Sequence, residues 1–241
     1  MPFLVALAVV AAGFVKGSIG FGFPTLGTPL LSLIVDVKTA FVVLIAPNIA
    51  MDLVQCMRAG ISRSIVRRIA PVVVLGGVGM VVGTRLLVAL SPRTVALVLG
   101  SFILVFVALN VTRLSPRLPE RWEPWASPLA GLAVGVIGGI TNAPGTPLAL
   151  YFYALGLAKR EFVRAVALTF VLYKATQLGA VAWYGLMTWS LLGWSLLLTA
   201  AAFAGFAVGL RVQDRMPPQA FNRAVLAFLA LIGLWLVVRN V

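Results

Sequence analysis

Polar residues interrupt this chain at long intervals, and between them run eight apolar stretches: Phe3 to Val35, Thr39 to Met57, Ile69 to Leu90, Thr94 to Thr112, Trp125 to Leu157, Ala165 to Met187, Trp189 to Leu210 and Ala224 to Val238. Most are near the roughly 20 residues that a helix needs to cross a bilayer. The first and fifth are too long for one straight span. Thirty-three helical residues would extend about 50 Å, against a hydrocarbon core of about 30 Å. Both carry helix-breaking chemistry in their interior, Gly17 to Gly27 in one and Gly138 to Gly145 in the other. The pattern predicts an all-α integral membrane protein of about eight apolar helical segments, with the first and fifth broken.

The breaks lie in a duplicated sequence. Gly-Thr-Pro-Leu occurs at Gly27 to Leu30 and again at Gly145 to Leu148. At a single offset of 118, Gly13, Gly17 and Gly20 fall on Gly131, Gly135 and Gly138. At an offset of 126, Gly79, Gly83, Arg85 and Pro92 match Gly205, Gly209, Arg211 and Pro218. The expected organisation is a first membrane repeat over 1–112, a cytoplasmic linker over 113–124 and a second membrane repeat over 125–241, forming one transmembrane domain. Internal repeats in an apolar chain are a mark of transporters.

Composition agrees with the pattern. The chain is 61% hydrophobic and 10% charged, with mean hydropathy +1.07, whereas a soluble domain carries about 25% charged residues. Its net charge of +13 would suggest nucleic acid in a soluble protein; in a membrane protein it reads as Lys and Arg holding loops in the cytoplasm. If all eight stretches were simple spans, the basic residues would divide almost evenly between the two sides. If instead the first and fifth stretches each enter the membrane, unwind and return to the side they came from, every repeat has one re-entrant hairpin and three spans. Three is odd, so the repeats are inverted. Thirteen basic residues, Arg58 to Arg68 and Lys159 to Arg164 among them, then face the cytoplasm, and Lys38, Arg85, Arg93 and Arg239 lie outside.

The candidate chemistry sits at the breaks. Thr28 and Thr146 precede prolines, and threonine followed by proline is a helix start, the hydroxyl capping free amides and the proline occupying the first turn. Two half-helices starting deep in the membrane would aim free amides and positive dipole ends at a shared centre, an anion site. Lys16 and Lys174 fall near mid-depth, where a charge is costly and usually functional, with Gln177 on the face of Lys174 and Asn142 in the second break as polar donors. Asp52 is the coupling candidate, the sole obvious intramembrane carboxylate for a proton or ion. The Gly-x-x-x-Gly pairs at 13/17, 79/83, 131/135 and 205/209 read as close helix packing, and Trp122, Trp125, Trp183 and Trp189 as an interfacial belt. A single cysteine, Cys56, and no histidine argue against a disulfide framework and a metal site. No nucleotide-binding motif, Gly-x-Ser-x-Gly elbow or close carboxylate pair is present, so no cofactor and no enzyme activity are expected.

The run from Gly13 to Leu31 resembles the glycine-rich first helix of the TauE/SafE sulfite exporter family, and Gly131 to Leu157 resembles its second copy. The resemblance extends over nearly the whole chain. It implies a multi-pass protein of the cell's inner membrane that exports a small sulfur-containing anion, such as sulfite or an organosulfonate, bound between the two broken-helix N-termini. The candidate site, read from the residues themselves, takes in Lys16, Gly22, Phe23, Pro24, Gly27, Thr28, Asn142, Gly145, Thr146, Lys174 and Gln177, with no metal. Gly22-Phe-Pro and Thr141-Asn-Ala-Pro are bulkier than the Gly-Gly-Gly of many members, which bears on substrate size. The expected partners are the anion, the bilayer and a coupling proton or ion, without nucleic acid; the oligomeric state is open. A passive anion channel is the alternative and an intramembrane enzyme a remote one.

Overall fold

A computed structural model describes residues 2–111, 117–213, 230–231 and 233–240. Residues 113–116 of the expected linker and 224–229 of the last apolar stretch lie outside the described residues. Within them every regular element is helical, as lipid demands of a chain whose backbone groups must pair internally. The helices are α1 (Pro2–Ile19), α2 (Phe23–Ser32), α3 (Val37–Val43), α4 (Ile45–Ala59), α5 (Arg63–Ala89), α6 (Pro92–Val111), α7 (Glu123–Thr141), α8 (Gly145–Ala154), α9 (Lys159–Trp183) and α10 (Trp189–Gln213). Among the described residues six stretches are long and apolar enough to cross a membrane: Val37–Arg58, which joins α3 to α4, Arg63–Ala89, Pro92–Leu109, Glu120–Trp122 with α7 to Thr141, Glu161–Trp183 and Trp189–Val212. The protein is therefore a multi-pass membrane protein. Its first and fifth apolar stretches are each two helices, α1–α2 and α7–α8, separated by a short turn.

The chain forms two compact units. The first contains α1, α2, α3, α6 and α10. Here α1 and α2 double back on each other: Leu4 and Leu7 share a groove with Leu33 and Ile34, and a Cβ on Gly27 would meet Ala12 at 3.3 Å. Against α1 lies α10, running parallel. Gly13 abuts the backbone of Ala202, Gly17 that of Phe206 and Gly209, and Gly205 that of Val10 and Phe14. The anticipated Gly-x-x-x-Gly pairs thus meet each other directly, which lets backbones approach where lipid offers no hydrophobic drive. Ser195 Oγ donates to Val43 O at 2.8 Å, fastening α10 to α3. Asp36 caps α3, accepting the amides of Lys38 and Thr39 at 2.9 Å each. Partial burial pushes its carboxyl up, but these bonds, with the Lys38 charge, outweigh it and hold the group below its ordinary value.

The second unit contains most of α4 together with α5, α7, α8 and α9. The same glycine packing joins α5 to α7 in parallel, Gly79 against Leu132 and Gly135, Gly83 against Val136 and Gly139. Tyr173 on α9 donates its hydroxyl to Val72 O at 2.8 Å, a close approach that Gly76 makes room for. Farther along, Thr176 nears Gly77, so α9 also runs parallel to α5. Between α7 and α8 the direction reverses: Ser127, early in α7, shares a 2.5 Å hydrogen bond with Tyr151, late in α8, and Leu118 N reaches Ala154 O at 2.8 Å. Had α8 simply prolonged α7, a returning α9 would oppose α5. A paired fork from Arg68 to Glu123, both contacts 2.8 Å, ties the start of α5 to the start of α7.

The helix boundaries correct the sequence register. Ile19 and Thr141 end the first arms, Phe23 and Gly145 begin the second, Ser32 and Ala154 end them, and Val37 and Lys159 start the following helices, each pair 122 residues apart. The glycine contacts agree, since Gly79 meets Leu132 and Val136 where Gly205 meets Val10 and Phe14. An offset of 118, which superposes the two Gly-Thr-Pro motifs, is one helical turn short. Thr28 consequently does not start a helix: α2 begins at Phe23, after Gly22, and Thr28 and Pro29 lie inside it. Thr146 is the second residue of α8, not its cap; its side chain lies outside the described residues.

Candidate functional site

Each break is a left-handed turn followed by a half-helix. In the first, Gly20 and Gly22 adopt φ of 95° and 98°, a region where a Cβ is penalised and glycine is not. Gly20 N donates to Lys16 O at 2.7 Å, closing α1. Gly22 then precedes α2 without any side-chain cap, with Pro24 in the first turn. In the second, Asn142 takes the left-handed position at φ 63°, the residue besides glycine that tolerates it best. Thr141 Oγ1 donates to Ile137 O at 2.7 Å and accepts from Ala143 N at 3.3 Å, and Leu148 N reaches Pro144 O at 3.2 Å to open α8.

Lys174 meets this second turn from α9. Its ammonium donates to the backbone oxygen of Asn142 at 3.1 Å, to Asn142 Oδ1 through a short bond, and to Gln177 Oε1 at 2.6 Å. Gln177 in turn donates from Nε2 to Gly138 O at 3.2 Å. Lys174, Asn142 and Gln177 are all 0% exposed. These three acceptors are neutral amide oxygens, and they fix the position of the ammonium. A fixed cation beside the first turn of α8, whose leading amides point N-terminally, is suited to an oxyanion.

The other expected residues are placed as follows. Lys16, in the last turn of α1, is fully buried, and so are Phe23, Thr28 and Asp52. Pro24 and Gly27 are buried within α2, and Gly145 opens α8. Lys174, Asn142 and Gln177 form one hydrogen-bonded group, and the first-break residues Gly22, Phe23 and Pro24 follow one another into α2. In the corrected register Asp52 and Lys174 are equivalent positions, 122 residues apart and each 15 residues after the start of α3 and of α9. Sequence reasoning missed Thr25 and Asn48, polar and buried, and the turn-forming role of Thr141. A polar side chain inside an otherwise apolar stretch was the available signal.

A multi-pass α-helical membrane protein whose first and fifth apolar stretches each break into two helices has the build of a transporter. The chain belongs to the TauE/SafE sulfite exporter family, whose model matches residues 5–236. That family makes it a membrane transporter of the sulfite-exporter type. Comparison with curated proteins and with solved structures returned no match.

The turn itself is testable. Asn142→Gly keeps the left-handed conformation and deletes the side-chain acceptor, whereas Asn142→Ala deletes it and strains the backbone by about 1 kcal/mol. Thermal unfolding in detergent is expected to rank wild type above Gly and Gly above Ala. Equal melting temperatures for the two variants would show that the turn is not under that constraint.

Proposed function

We propose that this protein is a secondary transporter that exports a small sulfur oxyanion, sulfite or an organosulfonate, across the inner membrane. The observation that carries the reading is Lys174, fully buried and oriented by Asn142 and Gln177 at the turn before α8. In this reading the anion accepts from the Lys174 ammonium, the leading amides of α8 with Gly145 and Thr146, and Gln177. Lys16, Gly22, Phe23, Pro24, Gly27 and Thr28 supply the equivalent surroundings at the α1–α2 break. Asp52 carries the coupling proton, its position in α4 answering that of Lys174 in α9.

We further propose that both hairpins are re-entrant and that the repeats over 1–112 and 125–241 are inverted. The parallel course of α9 and α5 supports this, together with the reversal between α7 and α8. Single cysteines in a Cys56→Ser background test it: those at Lys38 and Thr188 should label from outside, and those at Arg63 and Arg160 should not. Labelling of the Lys38 and Arg160 loops from one side would sink the inverted arrangement.

Function is tested by flux in proteoliposomes. Saturable sulfite or sulfoacetate efflux, stimulated by counter-substrate, is the expected result. Ohmic conductance would instead make the protein a channel, and the absence of any sulfur-anion flux would remove the substrate class.

A further inference from the structure

Two cavities in the first unit adjoin each other. The larger, about 610 Å³, follows the α1–α2 hairpin from Leu4 and Leu33 down to Val15 and Leu26, and every lining side chain is apolar. The smaller, about 420 Å³, lies at the end of that hairpin and includes Arg93, Trp235, Arg239 and Asn240. Leu33 and Ile34 line both, so the apolar groove and a basic mouth lie side by side. Arg93 and Arg239 are exposed. Arg93 Nε is anchored on Asn240 O at 2.6 Å, and the Arg239 guanidinium stacks 4.8 Å over the Trp235 ring. Asp36, the acidic residue in the mouth, has its carboxylate engaged by the amides that start α3.

Dimensions and charge select the occupant. From Leu4 to Val15 is eleven residues of helix, about 16 Å at 1.5 Å per residue, or roughly half of a 30 Å hydrocarbon core. The groove is thus as deep as one leaflet. Its mouth holds Trp and Arg, the residues that settle at a membrane interface, and two guanidinium forks suit a phosphate better than a point charge would. We propose that the α1–α2 groove is a binding site for one anionic phospholipid, an acyl chain lying along the hairpin and the headgroup phosphate held by Arg93 and Arg239. Because the hairpin carries the turn at Gly20 to Gly22, such a lipid would lie along both arms of a broken segment and brace it.

The full-length protein in detergent is titrated with phosphatidylglycerol, phosphatidylcholine and glycerol phosphate, and bound lipid is counted by native mass spectrometry alongside the melting temperature. Phosphatidylglycerol should bind and raise the melting temperature, and R93Q/R239Q should weaken it about thirtyfold, given the usual contribution of each basic residue to anionic-lipid affinity. Since Arg93 also anchors Asn240, a second variant, Ala11→Phe, fills the groove and leaves the mouth intact; it should likewise displace the lipid. Equal binding of phosphatidylcholine, insensitivity to both variants, or full competition by glycerol phosphate would overturn the proposal. So would a dimer that Ala11→Phe dissociates, which would make the groove a contact with a second copy.

Discussion

Replacing Lys174 by Gln should weaken binding of a sulfur oxyanion by about 10- to 150-fold, the equivalent of losing roughly 1.5 to 3 kcal/mol of charge-assisted hydrogen bonding. Glutamine keeps donors and approximate length, so the bonds to Asn142 and Gln177 can be partly rebuilt while the positive charge is lost. The reading to be measured is affinity by calorimetry on protein that still elutes as a folded species. Gln177→Leu should have the smaller effect, because it removes a neutral donor to the anion and an acceptor that orients Lys174 but leaves the cation. Lys16→Gln examines the first break in the same way. If both lysine variants bind and transport the anion as the parent does, the lysines hold the helices together and the substrate binds elsewhere.

Substituting Gly135 by alanine should be strongly destabilising for a single added methyl group. A Cβ there would stand 2.9 Å from both the carbonyl carbon and the Cα of Gly76, and closer still to its carbonyl oxygen. The obstacle is backbone, so it cannot swing aside as a side chain would, and α5 and α7 must separate along their length. Overpacking of a tight core costs about 1–3 kcal/mol and sometimes more; here the upper end is expected, seen as a sharp fall in melting temperature or loss of folded protein. Gly179 and Gly193 are the controls. Both are exposed helical glycines with nothing within 4 Å of a built Cβ, so alanine there should be neutral or stabilising by up to about 1 kcal/mol. Similar losses at all three positions would mean that close packing is not what Gly135 serves.

Much of this architecture was legible in one dimension. Mean hydropathy and segment length give a multi-pass helical protein, and 33-residue stretches with internal glycines must break. The Gly-x-x-x-Gly pairs were correctly read as packing, since small residues at that spacing have one main use between helices in lipid. Burial of Lys16 and Lys174 followed from their depth within apolar runs, whereas Asp52, six residues before Arg58, reads as lying toward the cytoplasmic end and is nonetheless fully buried.

Register and partnership were decided only in three dimensions. Gly13 and Gly17 could have met any helix; they meet the stretch of α10 that carries Gly205 and Gly209, in the other repeat, backbone against backbone. The repeated Gly-Thr-Pro suggested an offset of 118, while the folded helices adopt 122. Four residues are close to one 3.6-residue turn, so both offsets keep the same face of the helix inward, and pattern alone does not separate them. What separates them is the left-handed turn, which Gly20 and Asn142 form and which sets where α2 and α8 begin. Asn142 also brings its side chain to Lys174, 32 positions away. Periodicity describes one helix at a time, and that meeting depends on how three of them pack.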